Sequence, residues 1–146
     1  MFNLVFVFGT LKEGFPNFSI NKGIRIPGTF ITQDRYPFYL VGERFSPWII
    51  NSPGKGEHIK GQVFSIDQMT LITMDQLERT TEPDGYSREK ITVIAESGLE
   101  MYNVYVYLKN AIHLQEADIQ LGPLSDYSLK HASMYKPRSY SANTFI

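Results

Sequence analysis

Glu78 stands where a charged residue is unexpected. The segment "DQMTLITMDQLERT", Asp67 to Thr80, has the pattern of a helix with Asp67 as its N-cap. Leu71, Met74 and Glu78 fall at i, i+3 and i+7, with Leu77 beside them. That stripe should face the core, and carboxylates are seldom buried without a reason. Desolvation would raise the pKa of Glu78 and poise it as an acid/base. The alternative is a side chain at the helix end that bends to water, or that pairs with Arg79 or Arg88.

A second candidate lies near the N-terminus. "LVFVFGTLKEG" runs five apolar residues, Leu4 to Phe8, straight into Gly9-Thr10-Leu11. A tight turn alone accounts for a glycine. The functional alternative is that something small sits against the backbone there.

Other chemistries find little support. His58, His113 and His131 are far apart, and none has a metal-ligand partner at helical spacing, so no metal site is expected. The chain has no cysteine, which excludes disulfides, thiolate nucleophiles and Cys-ligated metals. "PGKGEH" lacks a Walker pattern and a strand-helix frame, and no Gly-x-Ser-x-Gly elbow is present. The basic residues of "LKHASMYKPR" read as a solvated face.

The elements that must hold these residues belong to one domain. The 146 residues suffice for a single core, and 42% hydrophobic with 20% charged residues is the profile of an ordinary soluble domain. An aromatic share of 14% points to a core built around large rings. The net charge of -1 gives no reason to expect nucleic acid or an anionic membrane as partner. No signal-peptide pattern and no run of about 20 apolar residues is present, so a cytoplasmic protein is expected.

Leu4 to Phe8 reads as a buried strand. "IRIPGTFIT" and "YPFYLVG" read as short strands whose prolines suggest an edge or a bulge, "GQVFSI" as another strand. Asn17 to Lys22 reads as a short helix or an irregular turn. "REKITVIAE" and "LEMYNVYVYLK" read as two long strands joined tightly at Ser97-Gly98. In the second, Val104, Val106 and Leu108 alternate with Tyr105 and Tyr107, so both faces bury something. Many strands and few helices favour a sheet curled into a barrel.

The residues resemble one family. "VFVFGTLKEGFPN" looks like the strand-and-turn signature of the γ-glutamylcyclotransferase-like superfamily, whose Tyr-Gly-Thr-Leu-type turn is here Phe8-Gly9-Thr10-Leu11. "MDQLERTTEPDGYSREKITV" resembles its second motif, a helix ending in Leu-Asp-x-Phe/Leu-Glu, then a loop and Tyr-x-Arg. The family's catalytic glutamate falls on Glu78. "SPWIINSPGKGEHIKGQVFSID" and "MYKPR" resemble the γ-glutamylamine cyclotransferase (AIG2-like) branch. Two positions depart from many members: Phe8 replaces a tyrosine, and Arg79 replaces a small residue.

The resemblance implies an α+β fold, a small closed or nearly closed β-barrel of about six or seven strands with one main helix and one or two short helices. It implies a single domain over residues 1–146, with a C-terminal tail from about residue 127 packed on or near the site. It implies an enzyme without metal or cofactor, whose substrate is a small γ-glutamyl amide. The substrate's α-amine attacks its own γ-carbonyl and releases 5-oxoproline and an amine, such as the lysine of ε-(γ-glutamyl)lysine. The nucleophile lies inside the substrate, so the missing cysteine and serine triad are no obstacle. Glu78 moves the protons. Phe8, Gly9, Thr10 and Leu11 bind the substrate, the exposed amides around Gly9 forming an anion-binding nest. Trp48, Tyr86, Tyr135 and Arg138, in the matched segments, are candidate substrate-side contacts. The alternatives are a cyclotransferase for another γ-glutamyl conjugate and a non-catalytic binding module on the same barrel.

Overall fold

The computed structural model describes residues 2–137. Arg138 lies outside the described residues.

Strand β1 (Phe2–Val7) is followed by a 3-10 turn at Phe18–Ile20 and by β2 (Ile24–Thr32). Strands β3 (Phe38–Val41), β4 (Ser46–Ile49) and β5 (Lys60–Asp67) precede helix α1 (Gln68–Leu77). Strands β6 (Ser87–Ala95) and β7 (Met101–Leu108) form the long hairpin. Beyond it come two 3-10 turns, strand β8 (Ile119–Leu121) and helix α2 (Leu129–Ala132).

Five strands close into a barrel in the order β1-β5-β2-β6-β7, with β7 returning to β1 in parallel at Val5–Tyr105. The closed barrel was expected; its strand count was not. β3, β4 and β8 pair with one another in a separate sheet of order β4-β3-β8. Pro37 falls just before β3, and Pro47 lies on β4, an edge strand, where its missing N–H costs no ladder bond. The Pro27-Gly28 pair coincides with a shift of register between Ile26 and Phe30 in the β2–β5 pairing, the bulge that the proline suggested.

Period-two alternation explains why β1 and β7 are apolar on both faces. Phe6, Val104, Val106 and Leu108 fill the barrel interior. Val5, Val7 and Tyr107 point outward and are covered by Leu71 and Met74 of α1. The helix starts as its N-cap predicts, with Asp67 Oδ1 accepting from the Thr70 N–H at 2.8 Å.

Residues after β8 join the body of the protein. Tyr127 is fully buried and stacks on Phe38 at 6.4 Å between centroids. Further on, the Lys136 N–H donates to the Arg44 carbonyl at 3.0 Å, and Arg44 Nη1 donates back to the Lys136 carbonyl at 3.2 Å. Among the described residues no helix is long and apolar enough to cross a membrane.

Candidate active site

The β1–β5 ladder ends at Val7 opposite Gln62, and the chain then turns on itself. Lys12 N–H donates to the Gly9 carbonyl at 3.1 Å, and Asn17 N–H to the Thr10 carbonyl at 2.8 Å. The Asn17 amide nitrogen also donates to Thr10 Oγ1 at 2.9 Å. Among the described residues no protein acceptor takes the N–H groups of Gly9, Thr10 or Leu11, which leaves donors for an anion. Gly9 is required by close approach: a Cβ there would lie 2.9 Å from Cγ of Pro47. Phe8 sits edge-on to Phe38 at 5.3 Å, inside the barrel core, so its ring serves packing as well as the cavity wall.

Another part of the site comes from the end of α1. Glu78 is the C-cap, and its N–H donates to the Met74 carbonyl at 2.9 Å. Arg79 follows in the left-handed region at φ 55°. Its N–H bonds back to Gln76 at 3.2 Å and that of Thr80 to Asp75 at 3.1 Å, the double bond pattern that ends many helices and usually places glycine where Arg79 stands. The chain returns at once: Tyr86 N–H donates to the Glu78 carbonyl at 3.0 Å.

A cavity of about 250 Å³ lies between the two ends. Phe8, Gly9, Thr10 and Leu11 of the turn line it, and so do Glu78 and Tyr86. Glu78 is half-buried. The arginines considered as its partners hold other carboxylates: Arg79 pairs with Asp84 at 3.0 Å and Glu82 at 3.8 Å, Arg88 with Asp75 at 2.7 Å. Arg79 is not among the residues lining this cavity.

Tyr86 and Arg88 are two apart on an extended chain, which sends both side chains the same way. Tyr86 reaches the cavity and donates its hydroxyl to the Pro47 carbonyl at 3.0 Å; Arg88 lies behind it. Tyr135 also lines the cavity, and its hydroxyl accepts from the Asn17 amide at 3.3 Å. Trp48 does not line it. Its ring lies 4.2 Å from the Lys109 ammonium, which is also 5.0 Å from the Tyr86 ring and donates to the Asp84 carbonyl. Trp48 thus stands one layer behind Tyr86.

Several lining residues were not singled out from the sequence, among them Tyr107, Asn17 and Arg44. Tyr107 is readable in hindsight as the outward member of the β7 alternation. Asn17 carries only the signal of sitting in the turn motif. Arg44 comes from the β3–β4 connection and has no sequence signal at all. Among the described lining residues it is the only cation. Two of the histidines serve local roles: His58 Nδ1 meets the Thr32 carbonyl at 3.0 Å, and His131 Nδ1 accepts from the Ser128 N–H at 3.0 Å.

Comparison with known proteins finds relatives over most of the chain. A family model described as "Gamma-glutamyl cyclotransferase, AIG2-like" matches residues 5–129. The gamma-glutamylaminecyclotransferase of Bos taurus is 33% identical over 141 residues, 92% of this chain and 82% of that protein. A putative gamma-glutamylcyclotransferase of Drosophila melanogaster is 37% identical over 110 residues, 71% of this chain and 68% of that one. The crystal structure of an AIG2-like protein from Mus musculus superposes with a TM-score of 0.78 at 26% identity, covering 94% of this chain and 97% of that chain.

Proposed function

Because the chain belongs to the gamma-glutamyl cyclotransferase, AIG2-like family, we propose that it cleaves γ-glutamyl amides by cyclisation, releasing 5-oxoproline and a free amine. The observation that supports this reading is the cavity itself, which Glu78 and the Gly9-Thr10-Leu11 turn line together.

The substrate's α-nitrogen attacks its own γ-carbonyl carbon. A C–N bond forms in the five-membered ring, and the amide C–N bond to the amine breaks. The α-ammonium must first lose a proton, and the attacking nitrogen loses a second as the ring closes. The leaving nitrogen gains one as its C–N bond breaks and a second to leave as an ammonium ion, so the protons balance. A single carboxylate above the ring can carry these protons, and Glu78 takes that role. The N–H groups of Gly9, Thr10 and Leu11 receive the α-carboxylate or the developing oxyanion. Holding the extended glutamyl chain in a ring-like pose supplies a further part of the rate. The amine half of ε-(γ-glutamyl)lysine then extends toward Arg44 and Tyr135.

The test is incubation with a small panel of γ-glutamyl amides and detection of 5-oxoproline by mass spectrometry. Release from at least one amide is expected. Binding without release from any of them would identify a non-catalytic module instead.

A further inference from the structure

The Asp75 carboxylate is held from two sides. The Tyr107 hydroxyl donates to Oδ1 at 2.7 Å, and Arg88 Nη1 donates to Oδ2 at 2.7 Å. The three residues come from α1, β6 and β7. Arg88 and Tyr107 are direct partners in the β6–β7 register, so their side chains leave the sheet on one face, the face that α1 covers. Asp75 precedes Glu78 by three residues, on the same side of the helix.

A carboxylate accepts hydrogen bonds and has none to give. The single proton of the Tyr107 phenol is therefore committed to Asp75. The phenol oxygen keeps its lone pairs, and Tyr107 lines the cavity that Glu78 also lines. We propose that Asp75 is a positioning residue that makes the Tyr107 hydroxyl an acceptor toward the cavity, and that this oxygen, with the Glu78 carboxylate, receives the α-ammonium of the γ-glutamyl substrate. The inference rests on the cyclotransferase reading and adds to it the group that holds the nucleophilic nitrogen before deprotonation.

The arrangement gives the cavity two unlike sets of polar groups. Tyr107 and Glu78, at α1 and the strand it covers, accept, and the N–H groups of Gly9, Thr10 and Leu11, at the β1 turn, donate. A zwitterionic α-amino acid group has one favoured orientation between them, ammonium toward α1 and carboxylate toward the turn. Burial, the hydrogen bond to Asp75 and the negative charges of Asp75 and Glu78 all push the Tyr107 phenol pKa far up. The phenol stays protonated at neutral pH, and its proton stays on the Asp75 side.

The competing explanation is that Asp75, Arg88 and Tyr107 only staple α1 to the sheet. L-glutamate and glutarate differ by the α-ammonium alone, and their dissociation constants are measurable by NMR-detected titration of the full chain. The wild-type protein should bind L-glutamate more tightly than glutarate. Tyr107→Phe should weaken L-glutamate by about tenfold or more, the scale of a lost hydrogen bond to a charged group, and glutarate by less than about twofold. Asp75→Asn, whose amide can donate to the phenol oxygen, should reproduce that selective loss. If circular dichroism shows that Asp75→Asn does not fold, Tyr107→Phe decides alone. Failure of the cyclotransferase reading shows elsewhere, as absence of 5-oxoproline from the wild-type reaction. Equal weakening of both ligands, weakening of neither, or a wild-type protein that does not distinguish them would overturn the proposal.

Discussion

Arg79 and Gly85 meet backbone to backbone: a Cβ on Gly85 would lie 1.7 Å from the Arg79 carbonyl oxygen. That carbonyl also accepts from the Glu82 N–H at 2.9 Å. With the Tyr86–Glu78 bond at 3.0 Å, these contacts close the seven residues between Glu78 and Tyr86 into a tight loop. Two cavity residues far apart along an extended chain are thereby held side by side.

Gly85→Ala should open this loop. Backbone carbonyl atoms cannot move aside as a flexible side chain can, and overpacking of this kind costs about 1–3 kcal/mol. Urea unfolding should show that loss, and 5-oxoproline release should slow, because Glu78 and Tyr86 no longer share a fixed separation. Unchanged stability would mean that the loop adjusts freely.

Arg79→Gly should behave in the opposite way. A non-glycine residue in the left-handed region bears a steric cost of roughly 1 kcal/mol, and the ion pairs that Arg79 makes with Glu82 and Asp84 are largely solvent-exposed and contribute little. Thermal unfolding should find Arg79→Gly as stable as the wild type or up to about 1 kcal/mol more stable, with turnover unchanged. Arg79→Val should be destabilised. A clear loss of stability in the glycine variant would assign the ion pairs a larger role.

Glu78→Gln should keep the fold and lose the reaction. General acid–base catalysis contributes about 10² to 10⁴ in rate, and a residue serving both proton transfers should sit toward the upper end. Single-turnover measurement of 5-oxoproline isolates the chemical step. Retention of more than about a tenth of the wild-type rate would show that another group moves the protons.

Gly9→Ala should destabilise the protein and displace the turn, because its Cβ would press on Pro47 at 2.9 Å. Pro47 has little room to yield, since its carbonyl accepts from the Tyr86 hydroxyl. A loss of about 1–3 kcal/mol is expected, with weaker 5-oxoproline binding by calorimetric titration. Pro47→Ala in the Gly9→Ala background should recover part of the stability. Wild-type affinity in Gly9→Ala would remove this turn from the binding site.

The choice of leaving amine should depend on the tail. The ring-forming half of the substrate is common to all γ-glutamyl amides, so selectivity must come from contacts on the amine side. Tyr135 and Pro137 line the cavity, and Lys136 is tied to Arg44 through both backbone groups. We expect a higher kcat/KM for ε-(γ-glutamyl)lysine than for glutathione. Ending the chain after Ser133 should lower that preference more than it lowers the rate on the poorer substrate. Lys55 and Lys60 do not line the cavity, and Lys60 pairs with Glu96 at 3.4 Å, so their replacement by glutamine should leave the preference unchanged. Equal preference in full-length and truncated protein would place selectivity elsewhere.

Local signals carried much of this protein. The Asp67 cap, the Leu71–Met74 stripe, the alternation along β7 and the proline-marked bulge in β2 are all properties of a few neighbouring residues, and each appears in the structure. Strand β8 was not legible: three residues, mostly exposed, carry too little pattern to stand out from a turn-rich tail. The partners of β3 and β4 were equally hidden, because a strand's periodicity states which face it buries and not which edge it joins.

By itself, the amino-acid order determined that Gly9-Thr10-Leu11 follows a buried strand and that Glu78 closes the apolar stripe of a helix. Those are short-range facts, set by side-chain period and backbone preference. Only the tertiary structure decided that the two lie on one cavity, that Tyr86 enters it while Trp48 stands behind, and that Arg44 arrives from another sheet. It also decided that Asp75, Arg88 and Tyr107 meet at 2.7 Å. Their positions are separated by 13 and 19 residues along the chain, and what brings them together is the register of the β6–β7 pair and the packing of α1 across it. Contacts of that kind depend on which strands pair, a cooperative property of the whole chain that no local stretch encodes.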